Sequence, residues 1–185
     1  MNRFVWITVP LLLAGSLISV IYFDQTIADW FHDNAPSLSH SPHYDAFKQF
    51  GRLAVPLWLC FLWAVLSHRR FMALQAIAAD LIGSIGVVVF KVSIQRLRPS
   101  YDLGSRELEE IGDWEFGQFC FPSGDTTTAF ALALVFSRYF PRPWRGLPLL
   151  IAALIGMLRV VRTHHYLGDV CAGAALGLFS AWLAF

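Results

Sequence analysis

Apolar runs that approach the width of a lipid bilayer dominate this sequence. A helix needs ~20 apolar residues to cross the hydrocarbon core, and a chain with 56% hydrophobic and 15% charged residues is too apolar for an ordinary soluble protein. We therefore predict an all-α fold, an integral membrane bundle of six transmembrane helices that forms a single domain over residues 1–185. The predicted spans are Phe4 to Phe23, Leu53 to Leu66, Phe71 to Phe90, Thr126 to Phe140, Leu147 to Leu158 and Tyr166 to Phe185. The second and fifth runs are short enough to be buried or re-entrant helices instead.

Positive charges are distributed unevenly over the predicted loops, and this sets the orientation. An even number of spans puts both termini on one side of the membrane. That side carries no acidic residue and six basic ones, Arg3, Arg69, Arg70, Arg138, Arg142 and Arg145. Because loops rich in Lys and Arg stay in the cytoplasm, we predict cytoplasmic termini. All acidic residues except Asp80 then fall on the outer side.

Two long segments are predicted on the outer side, Asp24 to Arg52 and Lys91 to Pro122. In the first, Ile27, Trp30 and Phe31 lie among acidic residues, which is typical of a short helix in the headgroup zone. A simple connector fits the same pattern. The second segment contains an acidic loop, which is either a lid or a solvated loop.

Several other features limit the possible functions. A net charge of +1 without a basic stripe argues against nucleic acid as a partner. The three cysteines lack metal-ligand spacing, so we interpret them as small buried residues. Asp80 lies within the third predicted span, where a carboxylate is costly and often functional. A buried hydrogen bond with Ser84 or another polar neighbour explains it equally well.

Three polar stretches stand at the outer ends of the predicted spans. They run from Lys91 to Pro99, from Phe121 to Thr126, and from Arg159 to Asp169. Taken singly, they are explained by charges that reach the interface, by a helix start and by neighbours on a helix face. Their position on one side of the membrane predicts that they form one site.

The residue types in these stretches suit a phosphate group. Lys91, Arg98 and Arg159 supply positive charge and planar donors. Ser123 and Gly124 open a predicted helix whose first amides can face an anion.

A nucleophile and its orienting group are predicted in the third stretch. His165 and Asp169 are four positions apart, which is about one helical turn. The Asp169 carboxylate could then hold the Nδ1 proton of His165 and leave Nε2 to attack phosphorus.

The three stretches resemble the type-2 phosphatidic acid phosphatase family, whose motifs are K-x6-R-P, P-S-G-H and S-R-x5-H-x3-D. The matching positions are Lys91, Arg98, Pro99, Pro122, Ser123, Gly124, Arg159, His165 and Asp169. The resemblance implies a membrane lipid phosphatase that forms a phosphohistidine and uses no metal or other cofactor. His165 would be the nucleophile, Asp169 would orient it, and the matching cations with Ser123 and Gly124 would bind the phosphoryl group.

The sequence departs from the family pattern at two positions. Leu158 replaces the serine before Arg159, and Asp125 replaces the histidine of the second motif. In the family that histidine is taken to protonate the leaving oxygen, so Asp125 would have to do so as a carboxylic acid. His164 is a less suitable substitute, because successive helical residues point about 100° apart.

The family resemblance implies a bacterial inner membrane location with the active site facing the periplasm or exterior. The candidate substrates are a polyprenyl diphosphate, a lipid A 1-phosphate or a glycerophospholipid phosphate. The loop from Tyr101 to Phe119 and the segment from His40 to Lys48 would select the headgroup. Two alternatives stay open, a lipid phosphotransferase and a non-hydrolytic phospholipid-binding or transport protein. The oligomeric state is not determined by the sequence.

Overall fold

The described part of the chain is a bundle of α-helices. The computed structural model describes residues 2–34, 70–99 and 118–185. The predicted second span and most of both outer segments lie outside these residues. The helices are α1 (Asn2–Tyr22), α2 (Asp24–Asn34), α3 (Arg70–Ile94), α4 (Gly124–Tyr139), α5 (Leu147–Val161) and α6 (Leu167–Leu183), and a short 3₁₀ helix (Arg142–Trp144) precedes α5.

Three helical segments in these ranges are long and apolar enough to cross a membrane. They are Arg3–Tyr22, Arg70–Ile94 and Arg142–Val161. They coincide with the first, third and fifth predicted spans, and α6 is a shorter apolar helix. The total of six spans and the orientation of the termini stay predictions.

Helix α3 extends beyond its apolar run and then turns sharply. The run ends at Phe90, but the helix continues to Ile94. Gln95 then adopts a positive φ of 52°, and its amide donates to the Lys91 carbonyl. This left-handed residue is a common helix ending. It directs the chain back across the end of the bundle.

Helices α4 and α6 form the centre of the bundle. Helix α6 packs against α1 and α4 most extensively, and α4 also contacts α3 and α5. The approach is close because α6 presents glycines to α4. A Cβ atom on Gly173 would lie 2.6 Å from the Ser123 carbonyl oxygen, and one on Gly177 would collide with the Thr127 carbonyl. Small residues of this kind let helix backbones approach closely in membranes.

Polar pairs and exposed apolar side chains divide the bundle into an interior and an outer surface. Asp80 of α3 is buried and accepts a hydrogen bond of 2.7 Å from the Thr128 hydroxyl of α4. The partner of Asp80 is thus a polar neighbour on another helix. Large apolar residues on the outside include Leu17 of α1, Ile85 of α3 and Leu154 of α5. Such a surface suits contact with lipid.

Candidate active site

The three polar stretches meet at one end of the bundle. This end is formed by the C-termini of α1, α3 and α5 and by the N-termini of α4 and α6. The described basic residues at the opposite end include Arg70, Arg138 and Arg142. The separation of the polar stretches from these residues is the one expected from the sequence.

His165 lies in a turn between α5 and α6. Helix α5 ends at Val161, and Thr163 has a positive φ of 54°. The amides of His164 and His165 both donate to the carbonyl of Arg159, at 3.1 and 3.2 Å. Because α6 begins only at Leu167, His165 and Asp169 do not share one helical face. The expectation of a helical pair is wrong, although the turn still brings the two side chains together.

The His165 ring is buried and electrically neutral near pH 7. Burial lowers the pKa of His165 to about 4. The hydrogen bond and charge of Asp169 raise this pKa and the charge of Arg98 lowers it, but burial has the largest effect. Arg98 Nη1 lies 3.4 Å from His165 Nε2. Since arginine can only donate, this contact favours the tautomer with its proton on Nδ1 and its lone pair on Nε2. The Nε2 atom therefore has the form that a nucleophile requires.

Asp169 is fully buried beside the ring. Its Oδ2 atom lies 3.7 Å from His165 Nδ1 and accepts a hydrogen bond of 2.9 Å from the Tyr166 amide. The distance to Nδ1 exceeds that of a hydrogen bond. Within the described residues, Nδ1 has no hydrogen-bond partner. Asp169 is thus positioned for charge stabilisation, and a small rotation of the ring would close the hydrogen bond.

The sequence motifs do not identify Arg96, which lies closer to the Asp169 carboxylate than the His165 ring does. Its Nη1 atom lies 2.9 Å from Asp169 Oδ1, and its Nη2 atom lies 2.8 Å from Asp24 Oδ2. The guanidinium also covers the Tyr166 ring, at 4.0 Å from the centroid. Burial alone would lower the pKa of Arg96, but the two carboxylates outweigh it and raise the pKa.

The local backbone explains why Arg96 lies beside Arg98. Leu97 forms an isolated antiparallel bridge with Phe119, so the segment around it is extended. Residues two positions apart in an extended segment point to the same side. Arg96 is therefore expected beside Arg98.

Ser123 joins the second stretch to the third. Its amide donates to the Asp169 carbonyl at 3.0 Å, and its buried hydroxyl accepts a hydrogen bond of 2.9 Å from Thr126. Gly124 is the first residue of α4 and is only partly buried. The N-terminus of a 16-residue helix thus opens next to the His165 turn. Helix N-termini favour anions through their amides and dipole.

Arg159 and Asp125 form an ion pair at the mouth of the site. The Nη2 to Oδ2 distance is 3.0 Å, and the side chains are 11% and 28% exposed. Lys91 is buried within electrostatic range of Arg98 and Asp125. All three predicted cations therefore surround the same region, and the residue that departs from the family motif contacts one of them.

Two neighbouring positions complete the description. Leu158 is 42% exposed on the outer surface of α5, so its replacement of serine removes no hydroxyl from the centre of the site. Cys120 is fully buried, and its thiol donates to the carbonyls of Arg96 and Leu97 at 3.2 and 3.0 Å. Burial raises the pKa of the Cys120 thiol. This keeps the sulfur protonated as a hydrogen-bond donor.

Comparison with known families decides the classification. The model of the PAP2 superfamily matches residues 71–185. The chain belongs to this superfamily. The match contains all three polar stretches and α3 to α6, whereas α1 and α2 lie before it.

Two curated relatives carry the same description. A lipid A 1-phosphatase of Porphyromonas gingivalis is 38% identical over 122 residues, which cover 64% of this chain and 24% of that protein. A lipid A 1-phosphatase of Rhizobium johnstonii is 34% identical over 103 residues, which cover 52% of this chain and 38% of that protein. The matched regions therefore span well under half of either relative.

Solved structures support the helical membrane fold. The crystal structure of Aquifex aeolicus LpxE matches with a TM-score of 0.62 and 27% identity, over 79% of this chain and 87% of that chain. The transmembrane PAP2-type phosphatidylglycerolphosphate phosphatase of Bacillus subtilis has a TM-score of 0.67 and 20% identity, over 97% and 92% of the two chains. The second likeness concerns the fold alone.

Proposed function

We propose that this protein is a lipid phosphatase that removes a phosphate from a membrane lipid through a phosphohistidine at His165. The observation that carries this proposal is the position of the buried, neutral His165 ring, whose Nε2 atom faces Arg98 at 3.4 Å. A neutral nitrogen beside a cluster of cations can attack a phosphoryl group whose charge those cations stabilise.

The proposed reaction has two steps. In the first, Nε2 of His165 forms a bond to phosphorus while the bond from phosphorus to the lipid oxygen breaks. The protonated form of Asp125 gives its proton to that oxygen. In the second step, water attacks the phosphohistidine and gives a proton to Asp125, and inorganic phosphate leaves with Nε2 restored.

The bound phosphoryl group and Asp125 would share one cation. Lys91, Arg98 and Arg159 are the proposed phosphate ligands, with Ser123 and the amide of Gly124 at the helix start. Because Arg159 is paired with Asp125 at 3.0 Å, an entering phosphate competes with the carboxylate for the guanidinium. Displacement of Asp125 would direct it towards the leaving oxygen.

Among the candidate substrates, a lipid A 1-phosphate has the most support. Two relatives with 38% and 34% identity are lipid A 1-phosphatases. A polyprenyl diphosphate and a glycerophospholipid phosphate are the other candidates. The excess of basic residues at the opposite end of the bundle supports a site on the outer side of the membrane.

The test is release of inorganic phosphate in detergent from lipid A, a polyprenyl diphosphate, phosphatidylglycerol phosphate and phosphatidic acid. We expect turnover of lipid A, loss of turnover in His165→Ala, and normal turnover in the control His32→Ala on α2. Activity should persist in excess EDTA, because the proposed steps use no metal. A wild-type protein that binds these lipids but releases no phosphate would contradict the proposal.

The same assay distinguishes a phosphotransferase. A transferase would move labelled phosphate to a second lipid rather than to water. A phosphohistidine would appear as label on the protein that requires His165.

A further inference from the structure

The backbone of Gly168 is held on both sides by the N-terminal helices. Its amide donates to Asp24 Oδ1 at 2.9 Å, and its carbonyl accepts a hydrogen bond of 2.8 Å from the Ser16 hydroxyl. A Cβ atom on Gly168 would lie 2.8 Å from Asp24 Oδ2, so the carboxylate lies directly against the backbone. Gly168 immediately precedes Asp169. The position of Asp169 therefore depends on contacts from α1 and α2.

Asp24 also shares the charge of Arg96. The Asp24 side chain is 2% exposed, and its Oδ1 atom accepts a further hydrogen bond of 2.6 Å from the Ser19 hydroxyl. Arg96 bridges this carboxylate and that of Asp169, which is 0% exposed. Two buried carboxylates thus share a single guanidinium, and one of them lies beside the proposed nucleophile.

The packing of α2 agrees with a role at this site. Ala28, one turn after Asp24, is buried against Cys120 and Tyr166. Tyr166 is the residue after His165, and its aromatic ring lies beneath the Arg96 guanidinium. Helix α2 therefore covers the proposed catalytic turn, although it lies outside residues 71–185 that match the family model.

We propose that Asp24 is a positioning residue of the catalytic centre, which shares the charge of Arg96 and holds Gly168 so that Asp169 can stabilise His165. The inference rests on the proposed function in one respect, the assignment of His165 as the nucleophile. Bond formation at Nε2 makes the ring cationic, and Asp169 must then compensate that charge. If Asp24 did not share the positive charge of Arg96, Asp169 alone would balance that charge, and its negative charge would be less available to His165.

This role predicts a difference between binding of a ground state and of a transition-state mimic. Inorganic phosphate tests the cations without a bond to His165. Orthovanadate can take the five-coordinate geometry of phosphoryl transfer and bond to Nε2, so its binding depends on stabilisation of the ring. Both ligands can be measured by thermal shift and by equilibrium binding, and neither requires knowledge of the lipid substrate.

The variants are Asp24→Asn and, as a matched control on the same helix, Asp29→Asn. The Asp29 carboxylate accepts a hydrogen bond from the Gln25 side chain and takes no part in the Arg96 bridge. Asp24→Asn should weaken orthovanadate binding about 10-fold, the lower end of the loss found when the outer partner of a metal-binding side chain is removed. Phosphate binding should be unchanged. With a lipid that is turned over, kcat should fall while KM is unchanged.

A charge-compensated pair provides a second test. Arg96→Gln leaves Asp24 and Asp169 buried without their shared cation, which is strongly unfavourable. Addition of Asp24→Asn removes one of the two charges, so the double variant should fold better and bind orthovanadate more tightly than Arg96→Gln alone. Independent roles would instead give additive losses.

The outcomes separate this inference from the proposed function. Equal weakening of phosphate and orthovanadate in Asp24→Asn, or no weakening of either, would overturn the role of Asp24. Selective loss of orthovanadate binding in a protein that releases phosphate from no lipid would support the role while refuting the phosphatase. A wild-type protein that fails to bind orthovanadate would overturn the role of Asp24, whereas phosphate release from the lipids would still decide the proposed function.

Discussion

Replacement of Asp125 by asparagine should separate phosphate binding from proton donation. In the structure Asp125 pairs with Arg159 at 3.0 Å, and the two side chains are 28% and 11% exposed. A pair this accessible to solvent contributes about 1 kcal/mol. Asp125→Asn removes the competing charge, so the inhibition constant of inorganic phosphate should fall about five-fold.

Turnover should change in the opposite direction. Asparagine keeps the size of the side chain but cannot supply the proton, so kcat for an alkyl phosphate monoester should fall about 10²- to 10⁴-fold. A polyprenyl diphosphate should lose less, because the departing phosphate is a weaker base than an alkoxide. Asp125→His restores the residue of the family motif and should retain turnover on both substrates.

The assay is initial-rate release of phosphate from the two substrates, with inorganic phosphate as a competitive inhibitor. Asp29→Asn is the control for a general effect of lost charge. An Asp125→Asn variant that turns over both substrates at the wild-type rate would show that Asp125 is not the acid. An unchanged inhibition constant would show that Arg159 is not shared between Asp125 and the phosphate.

Further predictions concern the nucleophile, the topology, the packing and the pH dependence. His165→Ala should abolish turnover in a folded protein, and Asp169→Asn should reduce turnover less. If His165→Ala kept more than about a tenth of wild-type activity, His165 would be excluded as the nucleophile. A cysteine at Ser105, with the native cysteines removed, should react with an impermeant thiol reagent in intact cells, whereas reaction only in opened membranes would invert the orientation. Gly177→Ala should destabilise the protein by about 1–3 kcal/mol, seen as a lower Tm in detergent than for Gly15→Ala, whose new Cβ has nothing within 4 Å; equal Tm values would contradict the close packing. Because the pKa of His165 is about 4 when folded and 6.5 ordinarily, the unfolded chain binds the extra proton between these values. Stability should then fall as pH drops from about 6.5 to about 4, by on the order of 3 kcal/mol, and His165→Ala should reduce this loss; an unchanged pH dependence of Tm in that variant would refute the argument.

The hydrophobicity of the sequence predicts the helices whose apolar runs are long. Spans near α1 and α3 follow from hydrophobicity, but the end of α3 does not. The helix continues past Phe90 to Ile94 because the backbone ends at the left-handed Gln95, a feature that hydrophobicity does not encode. Helix α4 likewise starts at Gly124, two residues before its apolar run, because a helix start depends on local backbone geometry.

Site residues with fixed spacing could be proposed from the sequence, whereas those joined only by tertiary contact could not. Motif spacing in the sequence predicts the roles of Lys91, Arg98 and His165. The sequence does not predict the partnership of Asp24 with Arg96, since Asp24 begins α2, Arg96 follows α3, and no spacing rule relates them. The sequence places Asp24 in a segment that fits either an interfacial helix or a simple connector, but the structure buries its side chain.

The hydrogen bond from the Ser123 amide to the Asp169 carbonyl has a consequence for how substrate is recognised. This bond joins backbone atoms. The close approach of Gly173 to Ser123 also prevents α6 from shifting along the start of α4. The start of α4, which is proposed to bind the phosphoryl group, and the turn that carries His165 are therefore held in a fixed position relative to each other. In the proposed reaction, such a fixed arrangement would require little reorganisation and would present the same geometry to any phosphate group. Under the proposed function, discrimination between lipids would depend on groups outside this arrangement, and exchange of those groups would change the substrate without a change in the chemistry.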